Sequence, residues 1–266
     1  MTFQPIVPVP GVAGWSFLQS TYDNQFRAFT ASPQLQRDVE YFRENATRLT
    51  SADALISDRR LLSVALGAFG LSEDINNRAF LQRILEDGTE ARDALANRLA
   101  DQRYKDFSDA FGFGPTSLPQ AILPGFAEKI VSLYEAQQFE VAVGRQDESM
   151  RIALFAQREL AKISEDGGSQ DAQWFKIMGQ PPLRQMMETA LGLPASFGQI
   201  DIDRQLEEFQ DRARRTFGSD KLEDLVAPET LEQVTSAFLA RSQINSFGAV
   251  ASSGSIALTL LAASQV

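Results

Sequence analysis

Apolar residues recur every three or four positions along most of the chain, which is the spacing of an amphipathic α-helix. The first such stripe contains Trp15, Leu18, Tyr22, Phe26 and Phe29. Ser32 and Pro33 then supply the N-cap and the first residue of a second helix. No segment alternates strictly between apolar and polar residues, so no strand is predicted. The pattern therefore predicts an all-α protein.

Glycine- and proline-containing breaks divide this pattern into separate helices. One helix begins at Trp15 and one at Pro33, and further helices are predicted near 52–57, 58–69, 77–87, 90–111, 125–143, 147–163, 171–178, 181–191, 201–217, 220–226 and 228–244. Residues 1–14 form an extended arm, because Pro5, Pro8 and Pro10 oppose a helix. Residues 246–266 carry no charge and are rich in Ala, Ser and Gly, so they are predicted to be a flexible tail.

The chain also resembles itself. Leu61–Leu71 aligns with Leu183–Leu193, and both segments end in Ala, an apolar residue, Gly and Leu. Four further segments align in the same order, among them Pro124 on Pro228 and Tyr134 on Phe238. This predicts two tandem repeats of about six helices each, at 15–143 (with the N-terminal helix) and 144–245. Chance similarity between amphipathic helices is the alternative.

The two aligned copies differ in two ways. The second half lacks the loop at 112–124 of the first half. Arg184, Gln185 and Glu188 stand where the first copy has Leu62, Ser63 and Leu66. The first copy is therefore predicted to be the more deeply buried of the two helices.

Composition narrows the chemistry that is available. The 266 residues have a net charge of -10, which disfavours nucleic acid or an anionic membrane surface as the main partner. The chain contains neither Cys nor His, so thiolate and imidazole chemistry is excluded. No apolar run of about 20 residues predicts a membrane span. The N-terminus has no basic residue and no continuous apolar run, so no secretory signal is predicted.

No catalytic, cofactor-binding or metal-binding residues are predicted. Apolar residues outside the helical stripes are instead candidate contacts for a partner protein: Phe3, Ile6, Val7 and Val9 in the arm, Phe111 and Phe113 beside the GFGP sequence, and Ile256, Leu258, Leu260 and Leu261 in the tail. For Phe111 and Phe113, packing against the core is the alternative. For the tail patch, docking on the body is the alternative.

Several segments carry a resemblance to a known family. They include PVPGVAGWSFLQST from Pro8, ALGAFGL from Ala65 and RYKDFSDAFGFG from Arg103. These resemble an uncharacterised, all-helical alphaproteobacterial family whose genes commonly lie among flagellar and motility genes. The resemblance implies an all-helical, internally duplicated protein without an assigned activity or cofactor.

These observations predict a non-enzymatic helical protein that supports flagellar assembly or motility through protein contacts, with flagellar components as candidate partners. The expected location is the cytoplasm, and export without a cleaved signal is the alternative. A homo-oligomer held by the tail patch is a further possibility. The alternative function is a carboxylate-based binder or enzyme with a site between the repeats. Asp201, Asp203, Glu207 and Glu208 could bind a cation or act as acid and base, but helix capping and a solvated helix face explain these residues better.

Overall fold

The computed structural model describes the backbone of residues 3–263 and the side chains of residues 3–194 and 196–246. This backbone contains fourteen α-helices, four short 3₁₀ turns and no strand, which confirms the predicted all-α class. The helices are α1 (Gly11–Thr30), α2 (Pro33–Asn45), α3 (Ala52–Ser57), α4 (Arg59–Ala68), α5 (Arg78–Asp87), α6 (Leu95–Arg98), α7 (Arg103–Phe111), α8 (Phe126–Gly144), α9 (Glu148–Glu165), α10 (Gln170–Met178), α11 (Pro181–Ala190), α12 (Ile202–Phe217), α13 (Leu222–Leu225) and α14 (Pro228–Ala263).

Most helix ends lie within a few residues of the predicted ones, and one predicted helix is divided. The segment predicted as a helix at 90–111 contains α6 and α7, separated around Asp101. The Asp101 carboxylate accepts a hydrogen bond from the backbone N–H of Arg103 at 3.0 Å. A short acidic side chain that satisfies a free N–H at a helix start favours a new helix over continuation of the old one.

The last helix is longer than predicted. Its backbone stays helical from Pro228 to Ala263, through the Ala-, Ser- and Gly-rich segment that was predicted to be a flexible tail. Alanine has the highest helix propensity, and no proline interrupts this stretch. The side chains of residues 247–263 lie outside the part of the chain that the structure describes.

The chain folds into two compact units. Unit 1 contains residues 1–6, 21–146 and 179–181, and unit 2 contains residues 7–20, 147–178 and 182–266. The first part of α1, up to Ser20, therefore belongs to unit 2, and the rest of α1 belongs to unit 1.

The core of unit 1 is built around α4, which packs against α2, α3 and α8. Seven of its ten residues are buried, and Gly67 lies directly under the ring of Tyr134. A Cβ at Gly67 would lie 2.6 Å from a ring carbon, so only glycine allows α8 to approach this closely. Burial, together with a smaller contribution from the negative charge of Asp38, raises the pKa of Tyr134 to about 12.

Unit 2 has a separate core formed around α9, which packs against α10, α13 and α14. Trp174 stacks on Phe209 at a ring distance of 5.7 Å, and Phe197 meets Phe209 edge to face at 5.0 Å. The Trp174 indole N–H donates to the backbone oxygen of Asp220 at 2.8 Å, so this buried donor is satisfied.

The aligned helices α4 and α11 end in the same way. Gly70 and Gly192 both adopt left-handed backbone angles, with φ of 68° and 66°. An arginine from a later helix then binds carbonyl groups at each helix end. Arg103 donates to the Gly70 oxygen at 2.6 Å, and Arg241 donates to the Ala190 oxygen at 2.6 Å. Arg241 satisfies carbonyl oxygens that the C-terminus of α11 leaves free, whereas the Gly70 carbonyl bound by Arg103 lies two residues beyond the end of α4.

Candidate protein-contact surfaces

The N-terminal arm is held in place through its backbone. The side-chain amide of buried Gln25 accepts from the Ile6 N–H at 2.6 Å and donates to the Ile6 oxygen at 3.2 Å. The Gln146 amide also donates to the Pro5 oxygen. Because these contacts use main-chain atoms, they fix the arm without using its apolar side chains.

The structure separates the four predicted contact residues of the arm into two groups. Ile6 is 55% exposed and Val9 is 47% exposed, whereas Phe3 and Val7 are half-buried. Phe17 of α1 is also partly exposed, and sequence reasoning missed it. The signal was present, since Phe17 lies off the stripe that contains Trp15, Leu18 and Tyr22.

The prediction that Phe111 is a partner contact is wrong, because this residue belongs to the core of unit 1. Its side chain is fully buried, and its ring lies 5.3 to 5.7 Å from those of Phe107, Phe113 and Phe126. Phe113 is half-buried and packs against the same core. A cluster of four aromatic rings removes a large apolar area from water, which explains why both residues turn inward.

The loop after α7, residues 112–125, exposes other apolar side chains. Leu118 is 71% exposed, Ile122 is 60% exposed and Leu123 is 51% exposed. We call this segment the apolar loop. Sequence reasoning assigned contacts to its first residues and missed these three. Their signal was position, because they lie in a Pro-rich segment without a helical stripe on which to pack.

The backbone of the apolar loop is tightly held. Gly88 and Gly114 approach so closely that a Cβ on Gly114 would lie 2.9 Å from the Gly88 Cα. The Ser117 hydroxyl donates to the Glu90 carboxylate at 3.0 Å, and Ala121 is buried between the exposed residues. The loop thus presents its apolar side chains from a fixed backbone.

The predicted tail contacts Ile256, Leu258, Leu260 and Leu261 lie outside the residues whose side chains the structure describes. Their role as partner contacts stays a prediction. Only their backbone is placed, in the last turns of α14.

Two of the four acids named for the alternative function, Asp201 and Glu208, have local partners. Asp201 caps α12 by accepting from the Asp203 N–H at 2.9 Å. Glu208 pairs with Arg212, one turn further along the same helix, at 2.7 Å. The Asp201 contact is a helix cap and the Glu208 contact is an ion pair on the helix surface, which are the structural roles that the sequence predicted for these acids.

Unit 2 contains a surface cleft of about 420 Å³ at the C-terminal end of α11. Its charged lining residues are Glu188 and Arg241, and both have bonding partners within the unit. Glu188 accepts from Arg184 at 2.7 Å, and Arg241 donates to the carbonyl oxygens of Thr189 and Ala190. The cleft residues therefore stabilise the end of α11.

Comparison with known proteins places the chain in a family. Residues 68–231, from the end of α4 to the first turn of α14, match the family described as a protein of unknown function, DUF1217. The chain belongs to the DUF1217 family. No curated protein matches its sequence.

The DUF1217 chain is also similar to a solved structure, the X-ray crystal structure of protein AGR_C_984 from Agrobacterium tumefaciens. The two sequences are 21% identical, the TM-score is 0.73, and the match covers 91% of this chain and 99% of the other. At this identity the likeness shows a shared fold. Among the described helices, none is both long and apolar enough to cross a membrane.

Proposed function

We propose that this protein is a non-enzymatic helical protein that supports flagellar assembly or motility by binding other proteins. The observation that carries the proposal is the apolar loop, a fixed segment of unit 1 that holds Leu118, Ile122 and Leu123 in water. Exposed apolar residues that cluster on an ordered backbone are typical of protein-contact sites. The arm adds a second such region through Ile6 and Val9.

The flagellar part of the proposal rests on the resemblance to a family whose genes lie among motility genes. That support is associational, so a direct test is required. Deletion of the gene is expected to reduce swimming in soft agar and to shorten or remove filaments under the electron microscope. Re-expression of the full chain should restore both. Normal filaments and normal swimming in the deletion strain would contradict the flagellar role.

We further propose that the two units arose by duplication of one helical unit. Both contain a long helix, a shorter helix and a third helix that is followed by a left-handed glycine and contacted by an arginine. A 3₁₀ turn and a further helix come next in both units. One or two short helices then lead to a second long helix. In this alignment α2 corresponds to α9, α4 to α11, α5 to α12 and α8 to α14. The matching order and the matching helix ends support a common origin.

The site of action is proposed to be the cytoplasm, as expected for an assembly factor. Fractionation of cells that produce an epitope-tagged full chain distinguishes this from export. We expect the tag in the cytosolic fraction, with a cytosolic enzyme and an exported filament protein as markers. Detection of the tag in the filament or medium fraction would show that the protein is an exported component and would contradict a role as a cytoplasmic assembly factor.

A further inference from the structure

Unit 1 contains a surface cleft of about 140 Å³ between α2 and α8. The chain at 29–43 runs antiparallel to α8 along this cleft. Arg43 binds Glu128 near the start of α8 at 2.9 Å, whereas the Phe29 ring lies 5.7 Å from that of Phe139, three turns further along. This register decides which side chains share each end of the cleft.

Two buried hydroxyl groups open onto the cleft. Ser32 is 6% exposed and Tyr134 is 7% exposed, and neither hydroxyl has a hydrogen-bond partner among the described residues. Ser32 precedes the first turn of α2, but its side chain does not cap the helix. Neither oxygen is completely enclosed by protein. Buried polar groups are nearly always hydrogen-bonded, so two unpaired hydroxyls in one cleft indicate that a polar molecule binds there.

Asp38 and Arg145 place opposite charges at the two ends of the cleft. The negative charge of Asp38 raises the pKa of Tyr134, so the carboxylate lies close to that tyrosine. Arg145 follows the last turn of α8, towards the end at which Ser32 lies. Arg60 approaches Asp38 only to 3.7 Å, and it donates instead to a backbone oxygen of α2 at 3.1 Å. Within the described residues, neither the Asp38 nor the Arg145 side chain makes a hydrogen bond.

The wall between these two charges is apolar. Leu35 and Ala142 are buried there, and Val141 is 39% exposed. Along α2, the separation of Ser32 from Asp38 corresponds to roughly 9 Å. A cavity of about 150 Å³ accommodates a molecule of the size of benzene, so the cleft has room for a small ligand and not for a folded segment of protein.

We propose that this cleft binds a small linear zwitterion, in which several methylene groups separate an ammonium group from a carboxylate. The ammonium group donates to Asp38 and to the Tyr134 oxygen. The carboxylate accepts from Arg145 and from Ser32, and the methylene groups cover Leu35. A ligand with a single charge meets only one end favourably, because Arg145 repels a cation and Asp38 repels an anion. The inference goes beyond the proposed function, since it requires no partner protein.

Saturation-transfer difference NMR on the full chain tests the inference, with 6-aminohexanoate as the probe. Hexanoate and hexylamine are matched controls, because each keeps the aliphatic chain and one of the two charges. We expect 6-aminohexanoate to bind with a Kd of about 0.1–1 mM, which is within the range that a ligand of this size reaches. Each control should bind about tenfold more weakly, because it lacks one charge-assisted hydrogen bond.

Variants assign the two charges of the probe to the two ends of the cleft. Asp38→Asn should remove the advantage of 6-aminohexanoate over hexanoate, and Arg145→Gln should remove its advantage over hexylamine. Tyr134→Phe should weaken binding of the probe about threefold, because one neutral hydrogen bond is lost. Glu44→Gln and Arg48→Gln are controls, because both residues are exposed in unit 1 and lie outside the cleft lining. Both should leave the three dissociation constants unchanged. Circular dichroism confirms that each variant folds as the parent does.

Three results would overturn the inference. The first is the absence of binding by 6-aminohexanoate, which would mean that the two hydroxyls bind only water. The second is equal affinity for the probe and for either ligand with a single charge. The third is an equal loss of affinity in Asp38→Asn and Glu44→Gln, which would show an effect of net charge and not of the cleft.

Discussion

Helices α4 and α11 are aligned with each other in the proposed duplication, yet they are buried to different extents. On α4, Leu62 and Leu66 are completely buried, whereas the aligned Arg184 and Glu188 of α11 remain partly exposed and pair with each other. Both helices nevertheless end at a left-handed glycine capped by an arginine. The comparison teaches that the glycine and the arginine contact at a helix end can be present in both helices, while the same helix face is buried in one and partly exposed in the other.

The connections before the last long helix of each unit differ in the opposite way, since here the backbone differs in length. In the proposed duplication the apolar loop, residues 112–125, aligns with residues 226–227, so this difference lies in the length of the backbone itself. The buried side chains of α4 stabilise the fold, because folding removes them from water. The exposed side chains of the apolar loop contribute little to the free energy of unfolding, because they stay in water after folding.

The largest expected effect tests the difference in burial. Leu62→Ala should lower the free energy of unfolding by about 2–5 kcal/mol, because it leaves a cavity in a packed core. The aligned Arg184→Ala should cost about 1–2 kcal/mol, since it removes a partly exposed ion pair with Glu188 and the hydrogen bond that Arg184 donates to buried Gln205. Urea unfolding followed by circular dichroism measures both. Equal losses would mean that the two helices do not differ in burial.

A reciprocal exchange tests the close approach of α8 to α4. Gly67→Thr installs the residue that α11 carries at the aligned position, and its Cβ would meet the Tyr134 ring. We expect a loss of about 1–3 kcal/mol in unfolding free energy from overpacking. The control, Thr189→Gly, should cost about 0.5 kcal/mol or less through helix propensity alone, because threonine is itself a poor helix former. A neutral Gly67→Thr variant would show that the two helices can separate without penalty.

Tyr134 and the aligned Phe238 provide a test by pH. The pKa of Tyr134 is raised to about 12 in the folded protein, above 10 for an exposed tyrosine. Between these values the unfolded chain loses the proton first, so stability is fully present below pH 10 and falls as the pH rises towards 12. Raising the pH from 8 to 11 should lower the free energy of unfolding of the parent by about 1 kcal/mol more than that of Tyr134→Phe, which has no proton to lose at this position.

Two measurements check this expectation. Urea unfolding at pH 8 and pH 11 gives the change in stability, and absorbance at 295 nm follows tyrosine ionisation. Burial and a hydrogen bond to Asp74 also raise the pKa of Tyr104 to about 12. Tyr104 should therefore ionise at high pH in both proteins. Ionisation of Tyr134 near pH 10 would contradict the burial of its hydroxyl.

The sequence predicted the helices well because their signals are local. Apolar spacing, the capping Asp58 and the left-handed Gly70 act within a few residues of one another, and α4 lies within one residue of its predicted range, 58–69. The greater burial of α4 was also predictable, since Leu62 and Leu66 replace charged residues of the aligned copy.

Long-range packing was harder to predict. The inward position of Phe111 depends on Phe126, which is far along the chain, and the exposure of Leu118 depends on the Gly88–Gly114 contact. A loop sequence alone does not show which of its apolar residues reaches the core. The choice is made by residues that lie outside the loop.

The smallest expected effect concerns the apolar loop. Leu118→Ser and Ile122→Ser together should change the unfolding free energy by about 0.5 kcal/mol or less, because both side chains are already in water. The control Phe111→Ala, at the last residue of α7 just before the loop, should cost about 3–5 kcal/mol, because that ring is fully buried. Urea unfolding of the three proteins at one pH provides the comparison. If the serine variant were as unstable as the alanine variant, these leucine and isoleucine side chains would be part of the core of unit 1, and a partner would not be needed to explain them.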